Sequence, residues 1–162
     1  MSKRKLVIGV MGQGEPCPAH IADAAHRLGE LVAQQGWYLL SGGRDAGVMD
    51  AVSKGARAAG GLTIGILPFK DSSVSEAVDI AIFTDLGSGR NNVNVLSSDF
   101  VVSVGMGSGT SSEISLALKA GKHVILLHSS ARAAEFYSEL SPKLISIVST
   151  PEDAVKQILS LL

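Results

Sequence analysis

An α/β fold of Rossmann-like type, a three-layer sandwich with a mostly parallel sheet and helices on both faces, is predicted by three features of the sequence. Apolar runs of strand length alternate with segments of helical periodicity along the whole chain. The first of these runs is continuously apolar rather than alternating, as a strand covered on both faces requires. Glycine-rich turns follow several of the runs directly, where sheets of this kind gather their ligand-binding loops.

The elements follow in order. Leu6 to Val10 is the first strand. Ile21, Ala24, Ala25, Leu28, Leu31 and Val32 recur at helical spacing, and Gly36 stops that helix. Trp37 to Leu40 reads as the second strand, ending in Ser41-Gly42-Gly43. A helix is expected from about Val48 to Ala59, closed by Gly60-Gly61, and a third strand from Leu62 to Leu67, halted by Pro68. Lys70 to Ser75 reads as a polar loop and Ile80 to Phe83 as a short strand. Asn91 to Ser98 is expected to form a short helix that feeds the buried strand Phe100 to Val104. After the turn from Gly105 to Thr110, the pattern predicts a helix over Ile114 to Ala120 and a strand over His123 to Leu127. Leu144 to Val148 is the last expected strand, and Pro151 opens the closing helix at a position proline favours.

Composition sets limits on function. At 162 residues the chain is expected to form one domain over its whole length. Hydrophobic residues make up 46% and aromatics only 4%, so the core must be aliphatic. The net charge of −1 advertises no basic face for a nucleic-acid partner, and Lys3-Arg4-Lys5 reads as a solvated start to the first strand. No apolar run approaches the ~20 residues of a membrane helix, and no signal peptide is apparent. The expected location is cytoplasmic. A lone cysteine, Cys17, excludes an internal disulfide; between two prolines near a helix start it reads as a loop residue rather than a nucleophile. His20, His26, His123 and His128 lack paired ligand spacing, so no metal site is expected.

In an open parallel sheet the ligand lies beyond the carboxyl ends of the strands. Four loops meet that condition: Met11 to Pro18, Ser41 to Gly47, Leu86 to Asn92 and Gly105 to Thr110. The strongest is the last. A buried strand runs into Gly105, Gly107 and Gly109, then hydroxyl residues, then a helix. Its backbone amides and the hydroxyls of Ser108 and Thr110 are the expected cradle for a phosphate at a helix N-terminus. Two readings of Glu113 stand side by side. In Thr110-Ser111-Ser112-Glu113 it completes a capping box with Thr110 as cap; equally, a carboxylate in the first turn projects toward whatever the loop binds. Gly42 and Gly43 offer a second wall, with Arg44 and Asp45 as ligand contacts or a solvated turn. Arg90 has the chemistry to clamp phosphate bidentately, with an exposed surface arginine as the plain alternative, and Asn91 and Asn92 suit helix caps. Gly12 opens a glycine turn after the first strand, but Pro16 and Cys17 break the dinucleotide fingerprint, so NAD and FAD are not expected.

With these loops in hand, the chain resembles the LOG-like superfamily, named for the cytokinin-activating phosphoribohydrolases. The segments that carry the likeness are SGGRDAGVMDAVSKGARAAGGLTIGILP and GRNNVNVLSSDFVVSVGMGSGTSSEISLALKAGKHVILL. The second is similar to the superfamily's arginine segment and PGGxGTxxE motif. The likeness is greater to the short bacterial branch related to molybdenum cofactor carrier proteins. It implies a small phosphorylated ligand, either a molybdopterin-type cofactor or a nucleoside monophosphate, and a homo-oligomer. By position, catalytic roles in the enzymes fall on Arg90 and Glu113, and phosphate contacts on Gly107, Gly109 and Thr110. Three departures stand out: Gly105-Met106 replaces the motif's Pro-Gly, Gly87 replaces a methionine, and Asn91 replaces a lysine beside the arginine.

Three functions are compatible with this pattern. The leading one is a binding protein for a phosphorylated nucleotide-like or pterin-type cofactor, because the donor-rich loops are intact and the catalytic flanks altered. The second is an enzyme that hydrolyses the N-glycosidic bond of nucleoside 5′-monophosphates through Glu113 and Arg90. The third is a sensing module whose ligand biases assembly.

Overall fold

The computed structural model describes residues 4–162; Lys3 of the N-terminal basic cluster lies outside them. Seven strands and six helices alternate: β1 (Val7–Gly12), α1 (Ala19–Gln34), β2 (Tyr38–Ser41), α2 (Gly47–Ala58), β3 (Thr63–Leu67), β4 (Ile80–Phe83), α3 (Arg90–Ser97), β5 (Phe100–Val104), α4 (Ser108–Lys119), β6 (Val124–Leu127), α5 (Ala131–Leu140), β7 (Ile145–Val148) and α6 (Pro151–Ser160). They form one sheet of order β4-β3-β2-β1-β5-β6-β7. Every neighbouring pair is parallel. The chain winds outward from β1 to β4, crosses back to β5 beside β1, and continues to β7. That reversal leaves a crevice between β1 and β5 at the carboxyl end of the sheet.

Side chains alternate across the sheet and divide the core in two. Ile8, Val10, Val102, Val104, Ile125 and Leu127 pack under α1, α2 and α6. Met11, Val101, Val124 and Leu126 pack under α3, α4 and α5. Fully burying each such side chain contributes roughly 1.5–3 kcal/mol. The contact of α1 with α2 is made by glycines: a Cβ on Gly29 would overlap the Val52 carbonyl, and one on Gly55 the His26 carbonyl.

Three local expectations need correction. Helix α4 begins at Ser108, not near Ile114, and its cap is Gly107 rather than Thr110. Thr110 therefore lies inside the first turn, its hydroxyl bonds no backbone amide, and no capping box forms with Glu113. The reason is the extended backbone of Gly107 (φ −145°, ψ 173°), which lets the helix start as soon as the chain leaves the turn. Likewise α3 starts at Arg90 after a short 3₁₀ turn, Gly87–Gly89, so Asn91 and Asn92 are not its caps. Helix α5 was not anticipated. Its cap is Ser130, whose side chain accepts from the Ala133 amide, and its buried face is Ala134 and Tyr137 at i, i+3. That face is too narrow to stand out as an apolar stripe.

Candidate functional site

The loops after β1, β2, β4 and β5 converge on one cavity of about 330 Å³ at the crevice. Its lining includes Gly12 to Glu15 from the first loop, Gly42 and Arg44 from the second, Arg90 and Asn91 from the third, and Gly107 to Thr110 with Glu113 from the fourth. Met11 and Met49 add apolar wall. Of the residues expected to bind the ligand or serve catalysis, Gly12, Gly42, Arg90, Gly107, Ser108, Gly109, Thr110 and Glu113 line the cavity and Gly43 does not. It sits at φ +71° against the backbone of Gly65 on β3, where a Cβ would collide, so its role is packing.

The amino end of α4 is rich in unused donors. Ser111 is the first residue of the helix whose amide bonds back, to the Gly107 carbonyl at 2.8 Å. The amides of Ser108, Gly109 and Thr110 have no intrahelical acceptor, as at any helix start. Gly105, at φ +68°, turns the chain from β5 while its amide stays bonded to Leu127. Around the position of a Gly109 Cβ there is open space. Thr110 is 1% exposed, yet its hydroxyl has no partner. A buried hydroxyl without a partner costs about 1–3 kcal/mol, and this one belongs to a residue that lines the cavity.

Two arginines face the same space. Neither Arg44 nor Arg90 belongs to an ion pair among the described residues. Arg90 lies against Gly42, where a Cβ would overlap its guanidinium. Burial lowers the Arg90 pKa, Glu113 opposes that shift, and Arg44 adds repulsion. A guanidinium stays protonated through such a shift. The cavity therefore holds two guanidinium groups that make no direct ion pair among the described residues, with Glu15 and Glu113 on its walls as well. Arg44 is exposed at the mouth and forms an isolated bridge with Val74, while Asp45 does not line the cavity.

Glu113 sits one helical turn beyond Thr110, on the same face of α4. Only 6% of it is exposed. Burial raises its pKa; a hydrogen bond from Asn94 and the charge of Arg90 pull the other way. Asn94 Nδ2 donates to Glu113 Oε1 at 2.9 Å.

Several participants escaped sequence reasoning. Glu15 accepts from the Gly47 amide at 3.1 Å and from the Cys17 amide at 3.0 Å, and Gln13 O accepts from the Val48 amide. Together they tie the first loop to the start of α2, where Gly12 packs directly on Val48. Asn91 donates to Ser112 at 2.8 Å and links α3 to α4. Asn94 was recoverable in principle, as an amide between Val93 and Val95 at a buried helical position. Cys17 does not line the cavity; burial and Glu15 raise its thiol pKa, the opposite of nucleophile activation. No group of three or more His, Cys, Asp or Glu among the described residues is placed to hold a metal ion. Nor is any helix among them long and apolar enough to cross a membrane.

Comparison with known proteins identifies the family and the fold. Residues 5–155 match the SLOG cluster4 family. The molybdenum cofactor binding protein of the phototrophic bacterium Rippkaea orientalis superposes with a TM-score of 0.96 at 52% identity, covering 99% of each chain. The molybdenum cofactor carrier protein of Chlamydomonas reinhardtii gives 0.92 at 46% identity, over 97% of this chain and 99% of that one. A cytokinin riboside 5′-monophosphate phosphoribohydrolase of Mycobacterium tuberculosis is 31% identical over 111 residues, 66% of this chain and 59% of the enzyme.

Proposed function

The chain belongs to the SLOG cluster4 family, and from that premise we propose that it binds the molybdenum cofactor, a phosphorylated pterin, in the cavity between β1 and β5. One observation carries the reading: donors converge at the amino end of α4 beside two arginines that belong to no ion pair among the described residues, and one of those donors, the Thr110 hydroxyl, is buried without a partner. The amides opening α4, the orphaned Thr110 hydroxyl and the guanidinium groups of Arg44 and Arg90 suit a phosphate dianion. The glycine backbone at Gly12, Gly14 and Gly42, with the thioethers of Met11 and Met49, suits the face of a flat ring. Likeness over the full length to two proteins described as binding or carrying this cofactor supports the ligand. The test is to incubate the purified protein with cofactor released from a molybdoenzyme and pass it through gel filtration. Molybdenum and pterin are expected to elute with the protein; their absence from that peak overturns the proposal.

Thr110→Val separates binding from folding. Removal of one hydrogen bond to a charged group costs about 1.5–3 kcal/mol, or roughly 10- to 150-fold in affinity. The free protein is expected to be as stable as before or more so, because an unpaired buried hydroxyl becomes a methyl of the same shape. Binding assays and thermal unfolding of the same variant check both parts.

The second reading, nucleoside 5′-monophosphate hydrolysis, is favoured by Glu113 and Arg90 sharing the cavity and by the likeness to the mycobacterial enzyme. Incubation with AMP, GMP, CMP and UMP, with free base measured by chromatography, decides it. Base release above background that Glu113→Ala abolishes supports it.

Assembly into homo-oligomers is supported by the apolar residues Ile80, Ile82 and Phe83, exposed along edge strand β4. Sedimentation equilibrium is expected to return a multiple of the chain mass; the mass of one chain contradicts assembly.

A further inference from the structure

We propose that Asn94 and Glu113 form an acid–amide pair in which Glu113 is the neutral carboxylic acid whenever the cavity holds an anion, so that anion binding takes up a proton. The proposal rests on the anion-binding reading above. Its starting point is an imbalance at Asn94, which is 0% exposed. One side of the amide is satisfied, with Nδ2 donating to Glu113 Oε1 at 2.9 Å. On the other side, Oδ1 is buried and has no donor among the described residues. The Asn94 main-chain carbonyl, by contrast, accepts from Ser98 Oγ at 2.8 Å. A carboxylate offers two acceptors and leaves the Oδ1 deficit unmet. A carboxylic acid presents both the acceptor that Nδ2 uses and a donor of the kind that Oδ1 lacks.

The surrounding charges set the direction of the coupling. From α3 the facing ionic group is Arg90, and from the loop after β2 it is Arg44. The loop after β1 contributes Glu15, whose oxygens are occupied by the Gly47 and Cys17 amides. From α4 itself the cavity receives the uncharged hydroxyl residues Ser108 and Thr110, the second with its hydroxyl unpartnered. In the empty cavity burial favours the acid and outweighs the hydrogen bond from Asn94 and, after it, the charge of Arg90, which both favour a carboxylate. A bound dianion offsets the guanidinium and repels a neighbouring carboxylate. Both changes favour the acid. A solvent proton then adds to the Glu113 carboxylate, and the pKa rises on binding. Affinity is greatest below the free-state pKa and falls as pH rises toward the bound-state pKa.

Sulfate is the probe, because its charge is constant across the neutral range. Calorimetry in two buffers of different ionisation enthalpy counts the protons taken up. The wild type is expected to take up protons and to lose affinity with rising pH, by about tenfold per pH unit where uptake is one proton. Glu113→Gln keeps a neutral group that both accepts from and donates to Asn94. It is expected to hold the wild type's low-pH affinity at every pH, with no uptake. Asn94→Leu is expected to move the midpoint of the wild-type pH profile, and an unmoved midpoint overturns the pairing. Sulfate binding without uptake, or a Glu113→Gln variant weakened at every pH, overturns the proposal alone. If the wild type binds no sulfate at any pH, the anion reading fails and the proposal fails with it.

Discussion

Arg90→Ala is expected to weaken binding of the phosphorylated ligand by about 100-fold, the loss of one bidentate charge-assisted contact. The guanidinium is half-buried and belongs to no ion pair among the described residues, as the proposed ligand contact requires. Its removal also leaves Glu113 without the cation that opposes the burial shift, and the carboxyl moves further toward the acid. The stability of the unliganded protein is expected to hold or rise, because a desolvated charge without a carboxylate partner is a cost to folding. Arg90→Lys is expected to recover only part of the affinity, since an ammonium is a point charge and lacks the planar fork. Calorimetry with the loaded ligand and thermal unfolding without it check the two halves. Equal losses of affinity and stability would place Arg90 among the structural residues.

Gly42→Ala is expected to cost nearly as much, although it removes no polar group. The new Cβ would overlap Arg90 Nη1 and crowd Met49 Sδ, so the guanidinium must leave its seat. The effect runs through Arg90, which makes it non-additive. In the Arg90→Ala background the same glycine substitution is expected to cost little further affinity. Additive losses in the double variant would show that Gly42 acts on the ligand by a route that does not pass through the arginine.

The sheet was legible because its strands carry their own signal. Leu6 to Val10 and Phe100 to Val104 are mainly apolar runs followed by glycine turns, and strand β1 differs from its expected span only at the ends. All four predicted loops reach one cavity because topology, more than local sequence, decides where parallel strands end. What stayed hidden depends on contacts between distant segments. The capping-box pattern at Thr110 to Glu113 is a local rule, and it lost to the extended backbone of Gly107. Freed from that role, Thr110 and Glu113 turn to the cavity and to Asn94, which lies 19 residues earlier on another helix. Gly43 looked like a ligand contact beside Gly42, yet only the fold places Gly65 behind it. Helix α5 failed to announce itself because its buried face is only Ala134 and Tyr137.

The central claim is that the ligand's phosphate sits at the amino end of α4, between the Thr110 hydroxyl and the Arg90 guanidinium. The most direct measurement is a crystal structure of the protein loaded with the molybdenum cofactor. The account predicts phosphate density within hydrogen-bond distance of Thr110 Oγ1 and the opening amides of α4. Well-ordered cofactor whose phosphate lies away from that turn, with the Thr110 hydroxyl still unpaired, would contradict it.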